Sequence, residues 1–318
     1  MNKNLISFVV LLSLIITIGH AQTLDIESAV VKIADLIKSN YVFEERGKKI
    51  AVHFEQEYKG GIFDSVKTWN DFASRSTKIL QEYSNDRHLF VRQDAKTVKD
   101  LKMDQNTETP AEDPFFHSDE AKERNFGFEE VKVLEGNIGY IKLSEINISE
   151  KSLPALFAAM ELIANTKALI VDLRNNGGGG SEVGPVLESM FLPKNIPLLE
   201  FRSRNDQTTA EKTVAWLTQK RYTKPLFIVI NNKTASAAEA FTFVLQANKR
   251  AMVVGQVSSG AAHMNSWYVV NDDLFVSIST GAPTLPGTET TWEGNGIRPD
   301  QVVKEGEETE VIKKLIHP

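Results

Sequence analysis

Cysteine is missing from all 318 residues. That excludes disulfides, a thiolate nucleophile and any Cys-based zinc site, and it leaves the compartment open. An excess of positive charge is missing too. Lys and Arg number 36 against 42 Asp and Glu, a net charge of −6, and nucleic-acid binding wants a basic face. The four glycines from Gly177 to Gly180 lack the Lys-Ser/Thr ending of a phosphate loop and the G-x-G-x-x-G spacing of a dinucleotide site. No pair of histidines has metal-ligand spacing. No metal and no cofactor is therefore expected. Two serine-hydrolase signatures are also absent, the G-x-S-x-G elbow and a Ser-x-x-Lys pair, and there is no internal repeat.

What is present reads as a soluble globular chain, 42% apolar and 25% charged. Lys3, the apolar run Leu5 to Ile18 and the small residues of Gly19-His20-Ala21 form a secretory signal peptide over 1–21, cleaved before Gln22. The protein is then exported, periplasmic or secreted, with no stable membrane anchor after cleavage. Residues 22–92 have helical apolar spacing, as at Ile26, Val30, Ile33 and Ile37, and predict a small helical domain. Residues 93–125 are polar and interrupted by Pro110 and Pro114, and read as a linker or flap. From 126 to 318 strands and helices alternate, which argues for an α/β layered domain. Its strands include a hairpin over 126–146, ALIVDL at 168–173, LFIVI at 226–230, 251–254, and a second hairpin joining 268–270 to 274–278. Helices are expected at 152–165, 181–191, 206–220, 240–247 and 308–316.

Two strand-to-helix turns follow buried apolar strands, at Arg174 to Gly180 and at Lys233 to Glu239. Open α/β sheets bind ligands at that edge. Ser236 sits where strand 226–230 turns into a helix, beside unpaired N–H groups and the positive end of the helix dipole. The alternative for Ser236 alone is a helix cap. A glycine N–H from the first turn and the Ala237 N–H from the second could form an oxyanion hole. Lys233 lies on the wrong side of the turn to serve as base. Of the histidines, His53, His117 and His317 read as surface or linker residues. His88 opens a strand after a turn, and His263 follows the small-residue loop 258–262.

Together DLRNNGGG, the TASAAEAF turn, VGQVSSGAAH and WEGNGIRPDQVV resemble the S41 peptidases, the family of the C-terminal processing (tail-specific) proteases, the tricorn protease core and the interphotoreceptor retinoid-binding proteins. The resemblance covers nearly all of the chain after residue 21, and SNDRHLFV is similar to the leader of the retinoid-binding branch. It implies a crotonase-like (ClpP-like) β/α catalytic domain and a peptidase acting on peptide or protein substrates. It places Ser236 as nucleophile, Gly178 and Ala237 as oxyanion donors, with Gly177 and Gly179 as near alternatives. Ala261 stands where the processing proteases carry a lysine base. The tricorn-like pattern instead implies His88 as base with Glu293 as its carboxylate; His263, after the small-residue loop, is the reserve base because sequence does not supply the hydrogen-bond distance. Arg87 replaces the hydroxyl residue of that pattern. No PDZ domain fits between the leader and the catalytic part. The alternative is a non-catalytic binding protein for an apolar or peptide ligand on the same scaffold.

Overall fold

A computed structural model describes residues 24–104 and 113–316. The expected signal peptide and His317 lie outside these residues. In chain order the first elements are α1 Ile26–Asn40, α2 Glu44–Lys59, α3 Trp69–Ser84, β1 Phe90–Gln93, α4 Ala95–Asp104, α5 Pro114–His117 and α6 Asp119–Glu123. Then come β2 Phe128–Leu134, β3 Ile138–Leu143, β4 Ile146–Ile148, α7 Leu153–Ile163, β5 Ala168–Asp172, β6 Gly179–Ser181, α8 Val186–Ser189, β7 Pro197–Ser203 and β8 Thr208–Lys212. The last are β9 Leu226–Ile230, α9 Ala237–Ala247, β10 Met252–Gly255, β11 Met264–Val269, β12 Leu274–Thr284, β13 Gln301–Val302 and α10 Glu308–Ile316.

The leader helices form where the apolar spacing puts them. Asp25 caps α1 by accepting the Ser28 N–H at 3.0 Å, and Thr68 caps α3 by accepting the Asp71 N–H at 3.1 Å. Each satisfies a donor that the first helical turn leaves without a partner. Asn85, left-handed at φ 50°, closes α3 and releases the chain into Asp86, Arg87 and His88.

β9 is buried throughout and lies inside a six-stranded sheet of order β13-β10-β9-β5-β3-β2. All its pairings are parallel except the β2–β3 hairpin. Strand geometry sends successive side chains to opposite faces. Leu226, Ile228 and Ile230 therefore join the core under α7, α8 and α9, while Phe227 and Val229 join Ile312 of α10 on the other face. This is why the run is continuous rather than alternating.

A second sheet runs β1-β12-β7-β8, with β11 also paired to β12. Leu274, Val276 and Ile278 of β12 share one core with Ile33, Phe54, Phe72 and Leu80 of the leader. The leader is thus packed onto the body of the protein and not tethered beside it. The stretch expected as linker or flap carries α4, α5 and α6 within its described residues.

Two helix expectations are corrected. Residues 206–220 form no helix. Asn205 and Asp206 adopt φ of 65° and 58°, reversing the chain so that Thr208–Lys212 pairs antiparallel with Pro197–Ser203. The β-branched Thr208 and Thr209 suit a pleated strand, and the strand partner at 197–203 had no strand expectation of its own. The expected helix 181–191 shrinks to Val186–Ser189, because residues 179–181 pair in parallel with β4. Among the described residues no helix is long and apolar enough to cross a membrane.

Candidate active site

The turns after β5 and β9 are laced together. Asn231 Oδ1 accepts the Asn175 N–H at 3.0 Å, and Asn231 Nδ2 donates to Asn175 Oδ1 at 3.1 Å. Thr234 Oγ1 donates to the Leu173 carbonyl at 2.8 Å, and the Ala235 N–H donates to the Asn176 carbonyl at 3.0 Å. Arg174, from the same motif, faces away from this junction. It bonds Asp172 and reaches Glu308 of α10 at 2.9 Å, tying the strand end to the last helix.

These bonds hold Ser236 at φ 51°, ψ −124°. A side chain rarely adopts that conformation, which costs on the order of 1–3 kcal/mol and clusters at functional sites. Ser236 is half-buried at the N-terminus of α9. The first N–H of that helix, on Ala237, has no acceptor among the described turn and cap hydrogen bonds. Gly178 packs directly on the serine. A Cβ added there would lie 2.6 Å from Ser236 Cβ, and φ of +106° independently demands glycine. Its own N–H donates to Asn176 Oδ1 at 2.9 Å, so that donor is engaged in this state.

Glu239, buried in the first turn of α9, has no place in the sequence expectations. Its carboxylate accepts the Ser236 N–H at 3.0 Å, the Ser258 hydroxyl at 2.5 Å, the Gly260 N–H at 2.7 Å and the Ala261 N–H at 2.9 Å. Burial raises its pKa, and the hydrogen bonds offset that only in part. The S-x-x-E spacing of Ser236 and Glu239 is the capping-box pattern and was the available signal. Gly260, at φ +78°, lies close enough to the 292–296 loop that an added Cβ would be 2.8 Å from the Gly296 nitrogen. Loop 258–263 is thus pinned between the serine turn and the Glu293 loop.

The expected acid–base residues meet around Asp86. This carboxylate is buried and accepts the Tyr41 hydroxyl at 2.8 Å, the His88 N–H at 2.9 Å and His263 Nδ1 at 2.9 Å. Burial works against its charge, but His263, with Ser279 and Tyr41, prevails and brings its pKa to about 2. Burial also disfavours a charged His263; Asp86 and then Glu293 override it and hold the imidazole above its ordinary value. Glu293 Oε2 accepts the Ala262 and His263 N–H groups at 2.7 and 3.1 Å, while Oε1 lies 3.7 Å from His263 Nδ1. Burial raises the Glu293 pKa, His263 opposes the rise, and Asp86 adds to it. Donor atoms of Asp86, His263 and Glu293 lie within 4.8 Å of one another, a set with the chemistry to bind a divalent cation.

His88 is placed differently. Its backbone bonds to Asp86 and to the Ser277 hydroxyl, while its Nδ1 is buried with no partner among the described residues. Burial keeps its pKa down, against the pull of Asp86 and with the help of His263. A cavity of about 340 Å³ is lined by Ser236, Ala237 and His263, but His88 is not among its lining residues. The structure therefore gathers Ser236 and Ala237 of one turn against Gly178 of the other, and brings His263, Glu293 and Asp86 together from distant segments. Arg87 is exposed, and no ion pair joins it to Glu293 among the described residues.

The model of peptidase family S41 matches residues 137–303, and that of the N-terminal domain of S41 peptidases in eukaryotic interphotoreceptor retinoid-binding protein matches residues 21–126. The chain belongs to peptidase family S41. This S41 chain is 31% identical over 166 residues to carboxyl-terminal-processing peptidase 1, chloroplastic, of Arabidopsis thaliana, an alignment covering 52% of the chain and 33% of the relative. It is 30% identical over 179 residues to a carboxy-terminal-processing protease of Bartonella bacilliformis, covering 54% and 40%. The S41 chain thus aligns with about a third to two-fifths of these relatives' length. In fold it is similar to the photosystem II D1 C-terminal processing protease, with a TM-score of 0.55, 13% identity and coverage of 93% of this chain and 98% of that one.

Proposed function

We propose that the protein is an exported serine peptidase, cleaving peptide or protein substrates through an acyl-enzyme on Ser236, on a crotonase-like β/α scaffold without a PDZ domain. The observation that carries this is Ser236 itself. It is held in a strained conformation at a helix N-terminus, in one cavity with an imidazole whose Nδ1 is bonded to a buried carboxylate. That arrangement supports the division of labour of a triad. Ser236 Oγ attacks the scissile carbonyl, and an imidazole takes its proton. The tetrahedral oxyanion meets the Ala237 N–H and the Gly178 turn, where one good donor is worth about 3 kcal/mol. The imidazolium then gives its proton to the leaving amine. Water, activated by the same ring, hydrolyses the ester and frees Ser236.

The geometry favours His263 as that base, because it lines the serine's cavity and Asp86 fixes its Nδ1. Glu293 then lies close enough to help hold the imidazolium that forms. A second reading keeps His88 as the base. It is favoured by a ring whose pKa burial lowers and whose Nδ1 has no partner among the described residues, although His88 does not line the cavity.

A fluorophosphonate probe tests the reading. Ser236 should be labelled, and Ser236→Ala should abolish both labelling and peptide hydrolysis while the protein still melts cooperatively. Labelling that survives Ser236→Ala would assign the reactivity to another serine. No labelling of the wild-type protein, together with no hydrolysis across a broad peptide panel, would favour the binding-protein alternative. Export is tested separately, by sequencing the N-terminus of the protein recovered outside the cytosol, which should begin at Gln22.

A further inference from the structure

Two carboxyl groups lie in the Ser236 cavity without a counter-charge. Glu188 comes from α8, and Glu211 from β8, where it pairs across the hairpin with Leu199. Neither forms an ion pair with another described residue, and the hydrogen bond at the Glu188 carboxyl comes from its own backbone. Besides these two, His263 is the titratable residue lining the cavity. The walls between are largely apolar, with Ile148, Leu187, Phe201 and Trp292 among them. Burial pushes Glu188 up to about 8, with the nearby Glu211 charge adding to it, and burial raises Glu211 as well.

An apolar sleeve with two unpaired carboxyls is an unfavourable place for charge. Burial accordingly raises the pKa of both carboxyls. A ligand cation would remove the penalty, because an opposite charge within a few ångströms favours the ionised carboxylate. Lysine and arginine side chains match the cavity in both respects. Their apolar stems can lie along the Leu and Phe walls while the charged head meets the carboxyls. A volume of about 340 Å³ lies at the small end of ligand pockets, suited to one long side chain. An acidic side chain would add a third like charge, and an apolar one would leave both carboxyls unpaired.

We propose that this cavity receives the substrate side chain on the acyl side of the scissile bond, and that Glu188 and Glu211 select lysine or arginine there. The assignment rests on Ser236 being the nucleophile, since that is what makes the cavity a substrate pocket. Glu188 and Glu211 are specificity-determining groups and touch no reacting atom.

The test uses the full chain and matched peptides with Lys, Arg, Leu or Glu at the position before the cleaved bond. The wild-type protein should prefer Lys and Arg over Leu by at least tenfold in kcat/KM, and over Glu by at least a hundredfold. The double variant Glu188→Gln, Glu211→Gln should lose that preference, mainly through a higher KM for the basic peptides. Fluorophosphonate labelling of Ser236 shows that each variant keeps a working site. A binding measurement separates the pocket from the chemistry. Fluorescent 4-aminobenzamidine, a small aromatic cation, should bind the Ser236→Ala protein and lose at least tenfold in affinity when both glutamates are also replaced. Labelled wild-type enzyme that cleaves after Leu as well as after Lys would overturn the proposal and leave the peptidase reading standing. Equal aminobenzamidine binding with and without the glutamates would overturn it too. A wild-type protein that is neither labelled nor active would remove the peptidase reading itself, and this one with it.

Discussion

The serine turn and the imidazole cluster do related work but are held in opposite ways. Ser236 is fixed by the strand before it, the helix after it, Glu239 three residues on, and one partner segment, the turn at 173–178 at the end of the neighbouring strand. The cluster is assembled from afar. Asp86 hangs from the end of a leader helix, His263 precedes β11, and Glu293 lies in the loop before β13; Asp86 and His263 meet across 177 residues. The serine turn therefore needs only two adjacent strands of one sheet, whereas the imidazole cluster depends on the leader packing against β12. Glu239 joins the two, because it bonds the Ser236 N–H on one side and the loop leading to His263 on the other.

The largest expected effect breaks the cluster and spares the turn. His263→Ala should lower kcat/KM by about a thousandfold or more, in the range of triad members, and should slow fluorophosphonate labelling in parallel. His88→Ala should cost at most about tenfold if His263 is the base. The reverse order would move the role to His88. Next, Asp86→Asn should cost about a hundredfold in kcat, by releasing the Nδ1 contact that orients the ring. It should also reduce stability, because Tyr41 and His263 lose a buried acceptor of full charge, as denaturant unfolding would measure. Smaller again, Glu239→Gln should cost about tenfold. It replaces one of two acceptor oxygens with a donor facing N–H groups, and roughly 1–3 kcal/mol of stability should go with it.

The mildest test is pH. His263 is held above its ordinary 6.5, and a base must be unprotonated, so activity should rise with pH through a value above 6.5. His88 is held below 6.5, so a rise on the acid side of that value would assign the reaction to His88. The two rings sense each other, and such a profile reports apparent values for the group. Stability should run the other way for His263. Its contribution is complete below 6.5 and is lost as pH rises through its folded value, while that of Asp86 is present above 3.8 and is lost toward about 2. The pair should therefore stabilise the fold most between those limits, as melting temperature against pH would show.

Much of this was legible in the residues. The β-branched run at 226–230 reads as a strand buried on both faces, and the turn residues after it bring Ser236 to a helix N-terminus. The helical leader, the hairpin at 128–143 and the final helix likewise followed from period and turn chemistry. These are short-range effects, written in consecutive side chains. Where tertiary pairing decides, the sequence was a poor guide. Thr208–Lys212 is a strand because Pro197–Ser203 lies beside it, and nothing within 206–220 announces that partner. The same holds for the acid–base group. The turn-to-strand position and the tricorn-like pattern pointed to His88, yet the Asp86 carboxylate turns its oxygens to the His88 backbone and to the ring of His263. Which imidazole a carboxylate reaches, and that Glu188 and Glu211 share a cavity with Ser236, are matters of distance between segments far apart in the chain. Only packing the leader and both sheets together fixes those distances.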